Sequence, residues 1–117
     1  MKIFRLLSLA IVPSFLLVAP SYSQEIAPIV GNWVGKGVSC KAIKDSSDER
    51  ILMIRKNEVE SYESSCRIRS VKKTGSSFAL STICEAEGET VRRNIDIEQI
   101  SRNEIKVKGG FDYVRCP

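Results

Sequence analysis

Residues 66–84 read CRIRSVKKTGSSFALSTIC, with a cysteine at each end and a glycine near the centre. Downstream of its centre, apolar and polar residues alternate: Phe78, Leu80, Thr82 and Cys84 interleave with Ala79, Ser81, Ile83 and Glu85. Such alternation is typical of a β-strand with one buried face. Gly75 lies among serine and threonine residues, which is the composition of a hairpin turn. The stretch therefore predicts two antiparallel strands joined near Gly75.

The two cysteines of this stretch constrain the register of the hairpin. If Gly75 is the centre of a three-residue loop, Lys73 faces Ser77. The same register then brings Cys66 opposite Cys84. Directly opposed Cβ atoms of an antiparallel pair lie within bridging range. We therefore expect a Cys66–Cys84 disulfide.

The chain has four cysteines, so this pairing leaves Cys40 and Cys116 to form a second bridge. A one-residue bulge in the hairpin would shift the register. The connectivity Cys40–Cys66 with Cys84–Cys116 therefore stays open as the alternative. A metal site is not expected, because no two cysteines have C-x-x-C spacing and the chain has no histidine.

The rest of the chain continues the β pattern in short segments between turns. We expect strands at 51–54, at 59–62, around Val91, Ile95 and Ile97, at 105–108 and at 111–116. With the hairpin and an opening strand at 31–35, this gives seven or eight antiparallel strands, which predicts a small closed barrel or a sandwich. The segment 41–49 is expected to be a loop, or at most one helical turn capped by Asp45 or Ser46.

The first residues of the chain have the pattern of an export signal. Lys2 and Arg5 give a basic start, residues 3–18 are almost wholly apolar, and Ser21 and Ser23 are small residues suited to a cleavage site. We expect cleavage after Ser23.

Residues 1–23 are accordingly predicted to be a signal peptide, and residues 24–117 a single domain in the periplasm or secreted. The whole chain has 18 basic and 14 acidic residues. Residues 24–117 carry 16 and 14, a net charge of +2, without a sustained basic stripe. We expect a monomer that binds no nucleic acid and has no membrane span after cleavage. An even cysteine count in a small exported domain also favours structural disulfides.

The absence of histidine removes several kinds of catalytic site. Neither a Ser-His-Asp nor a Cys-His arrangement can be assembled from this chain. Gly109-Gly110 lacks the residues of a phosphate-binding loop. We expect no cofactor and no enzymatic activity, although two carboxylates across a cleft could in principle cleave a glycoside.

Gly31-x-Trp33 at the start of the first strand resembles the opening of lipocalins and other calycin-like barrels. The resemblance implies that a basic residue of the last strand, here Arg115, lies across the tryptophan. The length, the export signal and the early Gly-x-Trp also resemble small periplasmic barrels that inhibit secreted metalloproteases. Those carry a single disulfide, so the second bridge is a departure.

A broader resemblance covers nearly all of residues 24–117. Gly-x-Trp, Cys40, Cys66-Arg67-Ile68, Cys84-x-x-Glu87-Gly88-Glu89 and the terminal Tyr113-Val114-Arg115-Cys116 together are similar to small exported proteins of α-proteobacteria. That family has no settled activity. The resemblance implies a periplasmic location.

Glu85, Glu87 and Glu89 are the most concentrated acidic feature, around a turn at Gly88. They could enter the basic cleft of a partner, where complementary charge speeds association. They could also supply a catalytic carboxylate pair, or simply keep a turn hydrated.

A possible basic patch combines Lys72-Lys73 and Arg92-Arg93 with Arg67 and Arg69, and would suit anionic envelope polymers or lipid head groups. Its alternative is an ordinary polar outer sheet face. Trp33, Tyr62 and Tyr113 are expected to be core residues.

The sequence thus predicts an all-β, disulfide-linked barrel that binds a protein, with inhibition of an envelope-active hydrolase such as a lysozyme or a protease as the leading function. Glu85, Glu87 and Glu89 would make the contact. The alternative is a barrel that binds a small ligand or an envelope component, which predicts an interior not filled by side chains.

Overall fold

The computed structural model describes residues 25–117, so the predicted signal peptide lies outside the described residues. Eight strands form one closed antiparallel barrel in which each strand pairs with its sequence neighbours and β1 pairs with β8. The strands are β1 Gly31–Gly35, β2 Ile51–Ile54, β3 Glu58–Ser61, β4 Ser64–Thr74, β5 Ser77–Ala86, β6 Glu89–Ser101, β7 Glu104–Val107 and β8 Asp112–Arg115. A 3-10 turn, Ala27–Ile29, precedes them, and helix α1, Lys41–Asp45, connects β1 to β2. The predicted all-β barrel is confirmed, with the next-neighbour order of an up-and-down barrel.

The barrel interior is filled by one apolar cluster, in which Trp33 and Phe78 are the largest fully buried side chains. The cluster comprises Ile26, Ile29, Trp33, Leu52, Ile54, Val59, Cys66, Ile68, Val71, Phe78, Leu80, Cys84, Ile97, Ile105 and Tyr113. Inward-facing residues of the eight strands supply most of it, because successive side chains point to opposite faces of a sheet, and Ile26 and Ile29 add to it from the segment before β1.

A second, smaller apolar cluster lies outside the barrel wall, where Ala42 of α1 packs with Val34 and Ile51. Strand β2 is therefore buried on both faces, as its continuous apolar sequence predicts. The short helical turn predicted within 41–49 is present as α1. Its N-cap is Cys40 rather than Asp45 or Ser46, and Ser46, with a left-handed φ of 48°, is instead its C-cap. The Cys40–Cys116 disulfide fastens this connection to the end of β8.

The predicted Cys66–Cys84 disulfide and the opposition of its two cysteines are confirmed, whereas the predicted register at the turn is wrong. The turn has two residues rather than three, so Thr74 rather than Lys73 faces Ser77. Gly75 has a φ of 62°, as the first central residue of a II′ turn requires. A bulge between Ile68 and Ser70 then shifts β4 by one residue, and this shift restores the opposition of the two cysteines.

Strand β6 departs from its prediction as a half-buried strand. Of the three apolar residues expected on its inner face, Ile97 is buried, Ile95 is half-buried and Val91 is 38% exposed. The reason is that β7 pairs with β6 only from Ile97 onward. Residues 89–94 are therefore exposed on both faces.

Tyr113 is buried as predicted, whereas Tyr62 is 44% exposed, which is contrary to its prediction as a core residue. Strand β3 ends at Ser61, so Tyr62 belongs to the β3–β4 turn and has no place on an inner strand face.

The barrel closes around the Trp33 and Arg115 pair that the calycin-like resemblance implies. The guanidinium carbon of Arg115 lies 4.3 Å from the centre of the Trp33 ring. Arg115 also donates hydrogen bonds to the carbonyl oxygens of Pro28, Val30 and Arg102, at 2.7–2.9 Å. Trp33 donates its indole N–H to the carbonyl of Ile29 at 3.0 Å.

Gly31 is required at the start of β1 because the Arg115 side chain passes directly above it. A Cβ atom there would lie 2.6 Å from Nη1 of Arg115, and the φ of Gly31 is +154°. The Gly-x-Trp pattern and Arg115 therefore act together as a structural closure of the barrel.

Candidate functional site

The β5–β6 turn carries the three predicted contact residues at one end of the barrel. It consists of Glu87 and Gly88, between the paired residues Ala86 and Glu89. Glu87 has a φ of 51° and Gly88 a φ of 80°, as a two-residue type I′ turn requires. Glu87 adopts this conformation without being glycine, asparagine or aspartate, the residues that tolerate it best. The left-handed backbone conformation of Glu87 costs a small amount of conformational free energy, and it places a carboxylate at the tip.

Glu85, Glu87 and Glu89 are all exposed, but they do not converge. Glu85 pairs with Thr90 and lies on the outer face of the sheet, opposite in direction to the buried Cys84. Glu89 pairs with Ala86, which has the inward direction, so Glu85 and Glu89 lie on opposite faces of the hairpin. The tip thus presents negative charge on both sides and at its end.

The base of this hairpin is held firmly. The Cys66–Cys84 disulfide joins β4 to β5 immediately before Glu85. The hydroxyl of Thr82, which is buried, donates a hydrogen bond of 2.7 Å to the carbonyl oxygen of Arg93. Beneath the tip, strand β5 is therefore joined to β4 by a disulfide and to β6 by a side-chain hydrogen bond.

The predicted basic patch is divided by the observed register. Arg67 and Arg92 flank Ile83 in one row on the outer face. Lys73, in contrast, lies on the other face, with its ammonium 5.7 Å from the centre of the Phe78 ring. Arg69 falls in the β4 bulge and has no paired residue on β5. The six basic residues therefore do not form one surface.

A groove of about 360 Å³ crosses the outer face of strands β4 to β7. Ser77 and Ala79 are the small residues of its central strand, and Lys72 of β4 lies on one side. Lys106 and Lys108 lie on the other side, together with Asp96 and Glu98. Sequence reasoning missed Lys106 and Lys108, because only the pairing of β6 with β7 brings them to the same groove as Lys72.

Sequence reasoning also missed a carboxyl pair on the outer face of β3. A hydrogen bond with Glu60 is the main cause that raises the pKa of Glu58, followed by partial burial and by the charge of Glu60. Arg67 faces Glu58 across the sheet, and Nε of Arg55 lies 3.8 Å from Glu60. The spacing i, i+2 along a strand could have indicated this pair.

The interior of the barrel is filled by side chains, whereas the small-ligand alternative predicts an interior that is not filled. Trp33, Phe78 and the surrounding aliphatic side chains occupy it, whereas the groove lies on the outside. An eight-stranded barrel is just wide enough to be filled in this way.

No protein-family model, curated protein or solved structure matches this chain. The two disulfides indicate an oxidising, extracytoplasmic compartment. Within residues 25–117, no helix has the length and apolar character needed to span a bilayer.

Proposed function

We propose that this protein is a non-enzymatic binding protein of the periplasm that docks on a partner protein through the tip of the β5–β6 hairpin. The favoured partner is a hydrolase that reaches the cell envelope and has a basic cleft, such as a lysozyme. Inhibition would be steric and electrostatic, because the tip would occupy the cleft and exclude substrate.

The observation that supports this proposal most is the form of the tip. Glu87 lies in the two-residue turn, Glu85 and Glu89 lie on the strands beside it, and the Cys66–Cys84 disulfide fixes β5 immediately before Glu85. A preformed binding loop loses little conformational entropy on association. Carboxylates on both faces and at the end of this loop would also accelerate the encounter with a basic surface.

The proposal is tested with oxidised residues 24–117 against a panel of lysozymes and secreted proteases. The variant E85Q/E87Q/E89Q should lower the association rate with an inhibited enzyme by about tenfold or more, and added salt should reduce the wild-type rate. The matched control E25Q/E49Q/E98Q removes the same charge from other exposed sites and should leave the rate nearly unchanged.

Two results would overturn the proposal. One is a wild-type protein that inhibits no enzyme of the panel and captures no protein from periplasmic extract. The other is an inhibitor in which the hairpin variant and the control variant behave alike.

The outer groove supports a second candidate function, the binding of an anionic envelope polymer. Lys72, Lys106 and Lys108 surround it, and their ammonium groups could pair with phosphate or carboxylate groups. Titration with lipopolysaccharide tests it: K72Q/K106Q/K108Q should weaken binding, whereas K41Q/K44Q/K56Q should not. Equal affinity of the two variants would exclude the groove.

A further inference from the structure

The first half of β6, residues 89–95, has one edge that pairs with no other strand within residues 25–117. Residues 89–95 pair with β5 on one side, and no other strand of the described residues pairs with them. Strand β7 begins to pair at Ile97, and the amide of Lys108 bonds the carbonyl of Asp96 at 2.9 Å. An unpaired edge is a template for another strand. The barrel therefore does not remove all of its edges.

We propose that a second copy of this chain pairs its β6 antiparallel along this edge, with Val91 opposite Val91 of the second copy. The contact is then a two-fold symmetric one, in which the same segment serves both chains. Antiparallel pairs alternate between two hydrogen-bonding types. In a hydrogen-bonded or a non-hydrogen-bonded pair, both residues must be of the same type, so paired residues of the two copies differ by an even number in the sequence. The residue midway between them then lies on the two-fold axis and faces the same residue of the second copy.

Charge selects Val91 as that residue. An axis at Arg92 or at Arg93 would set like charges directly opposite each other, which is unfavourable. An axis at Val91 sets Glu89 opposite Arg93 of the second copy, and this ion pair occurs twice. The same register brings together two Val91 side chains, each 38% exposed in the single chain.

The length of the open edge selects the same register. With Val91 on the axis, Glu87 of the second copy lies beside Ile95, just before Lys108 fills the adjacent position. An axis at Arg92 would push the turn of the second copy against Asp96, whose carbonyl is already bonded. An axis at Thr90 would leave Asn94 and Ile95 unpaired. With Val91 on the axis, the β5–β6 hairpin of one copy therefore covers the whole unpaired edge of β6 in the other copy.

This dimer departs from the monomer that the sequence predicts. It engages Glu87 and Glu89, so the dimer and a docked partner would compete for the same segment, but neither proposal requires the other. Glu85 lies on the opposite face of the hairpin from Glu89 and Arg93. E85Q should therefore weaken partner binding without changing the oligomeric state, which separates the two proposals.

The test is sedimentation velocity of oxidised residues 24–117 at up to about 100 µM, with circular dichroism to confirm folding. The wild-type chain should dimerise. E89R and R93E should each weaken the dimer by about tenfold or more, because each creates two like-charge pairs. The controls E85R and R67E reverse charges on the outer face and should dimerise as the wild type does.

The decisive measurement is the rescue. The double variant E89R/R93E should dimerise again, and an equimolar mixture of the two single variants should form a mixed dimer, since their charges are complementary. A wild-type monomer at the highest concentration would overturn the inference. A dimer that neither single variant weakens, or a double variant without recovery, would place the contact elsewhere and overturn it equally.

Discussion

Arg115 shows how a single charged residue can close a barrel without an acidic partner among the described residues. Three backbone carbonyl oxygens and the face of Trp33 surround its guanidinium. Partial burial is the main cause that lowers the pKa of Arg115, and the nearby charge of Arg102 adds to it. The planar fork of arginine suits three separate acceptors in a way that an ammonium cannot.

We therefore expect R115K to lower the free energy of unfolding by about 1–3 kcal/mol, through lost hydrogen bonds and a weaker contact with Trp33. Urea denaturation followed by the fluorescence of the single tryptophan measures this. The control R69K changes an exposed arginine in the β4 bulge and should cost little. Equal losses in the two variants would contradict the structural role of Arg115.

Glu58 should make the folded state sensitive to pH. Because the pKa of Glu58 is raised by Glu60, the folded chain holds this proton more tightly than the unfolded chain does. The contribution of Glu58 to the free energy of unfolding is therefore fully present at a pH below the ordinary pKa of a glutamate. This contribution is lost as the pH rises through the pKa that Glu58 has in the folded chain. E58Q should flatten this part of the curve, and the effect should be small because Glu58 is partly exposed to solvent.

Thermal unfolding of E58Q and of the control E49Q between pH 3 and 7 provides the comparison. A profile of E58Q that still falls as steeply as that of the wild type would show that the Glu58–Glu60 contact does not control it.

At the scale of the elements, the two disulfides stabilise the fold to different degrees. Cys40–Cys116 closes a separation of 76 residues, and Cys66–Cys84 one of 18. In the chain-entropy account, these loops correspond to about 4.5 and about 3 kcal/mol. We expect C40A/C116A to lower the denaturation midpoint in guanidinium more than C66A/C84A does. The reverse order would indicate that the local packing of each bridge outweighs its loop length.

The hairpin also shows what sequence can and cannot predict about this fold. Alternation correctly assigned the faces of β5, and the assumption of a three-residue loop at Gly75 gave the Cys66–Cys84 pairing. The pairing was correct because the shorter turn at Gly75 and the bulge near Arg69 offset each other. A Gly-Ser pair could have indicated a two-residue turn. No residue pattern marked the bulge, which depends on how β4 curves around the core.

The burial of β6 and the position of the groove could not be predicted, because the sequence does not indicate how far β7 pairs along β6. Alternation in β6 indicates an inner face, but β7 does not cover Val91 and Ile95, so Val91 is exposed and Ile95 is only half-buried. The same holds for Lys106 and Lys108, which reach the groove through the pairing of β7. The exposure of Glu85, Glu87 and Glu89 was predicted. Their contact with a partner stays a prediction.

At the scale of the whole molecule, the barrel combines short and long strands. Strands β1, β2, β3, β7 and β8 have four or five residues each, whereas β4, β5 and β6 have 10 to 13. The short strands close the barrel around Trp33, and the long ones extend one wall that ends in the acidic hairpin. Covalent bridges hold both parts, which suits a small domain with a modest core.

The two disulfides make the barrel rigid by cross-linking it within this wall and at its closure. Tryptic digestion without reduction, followed by mass spectrometry, identifies these cross-links. We predict one linked pair of peptides, 57–67 with 74–92, and a second, 37–41 with 116–117. Free thiols, or a link between 37–41 and 57–67, would contradict the account.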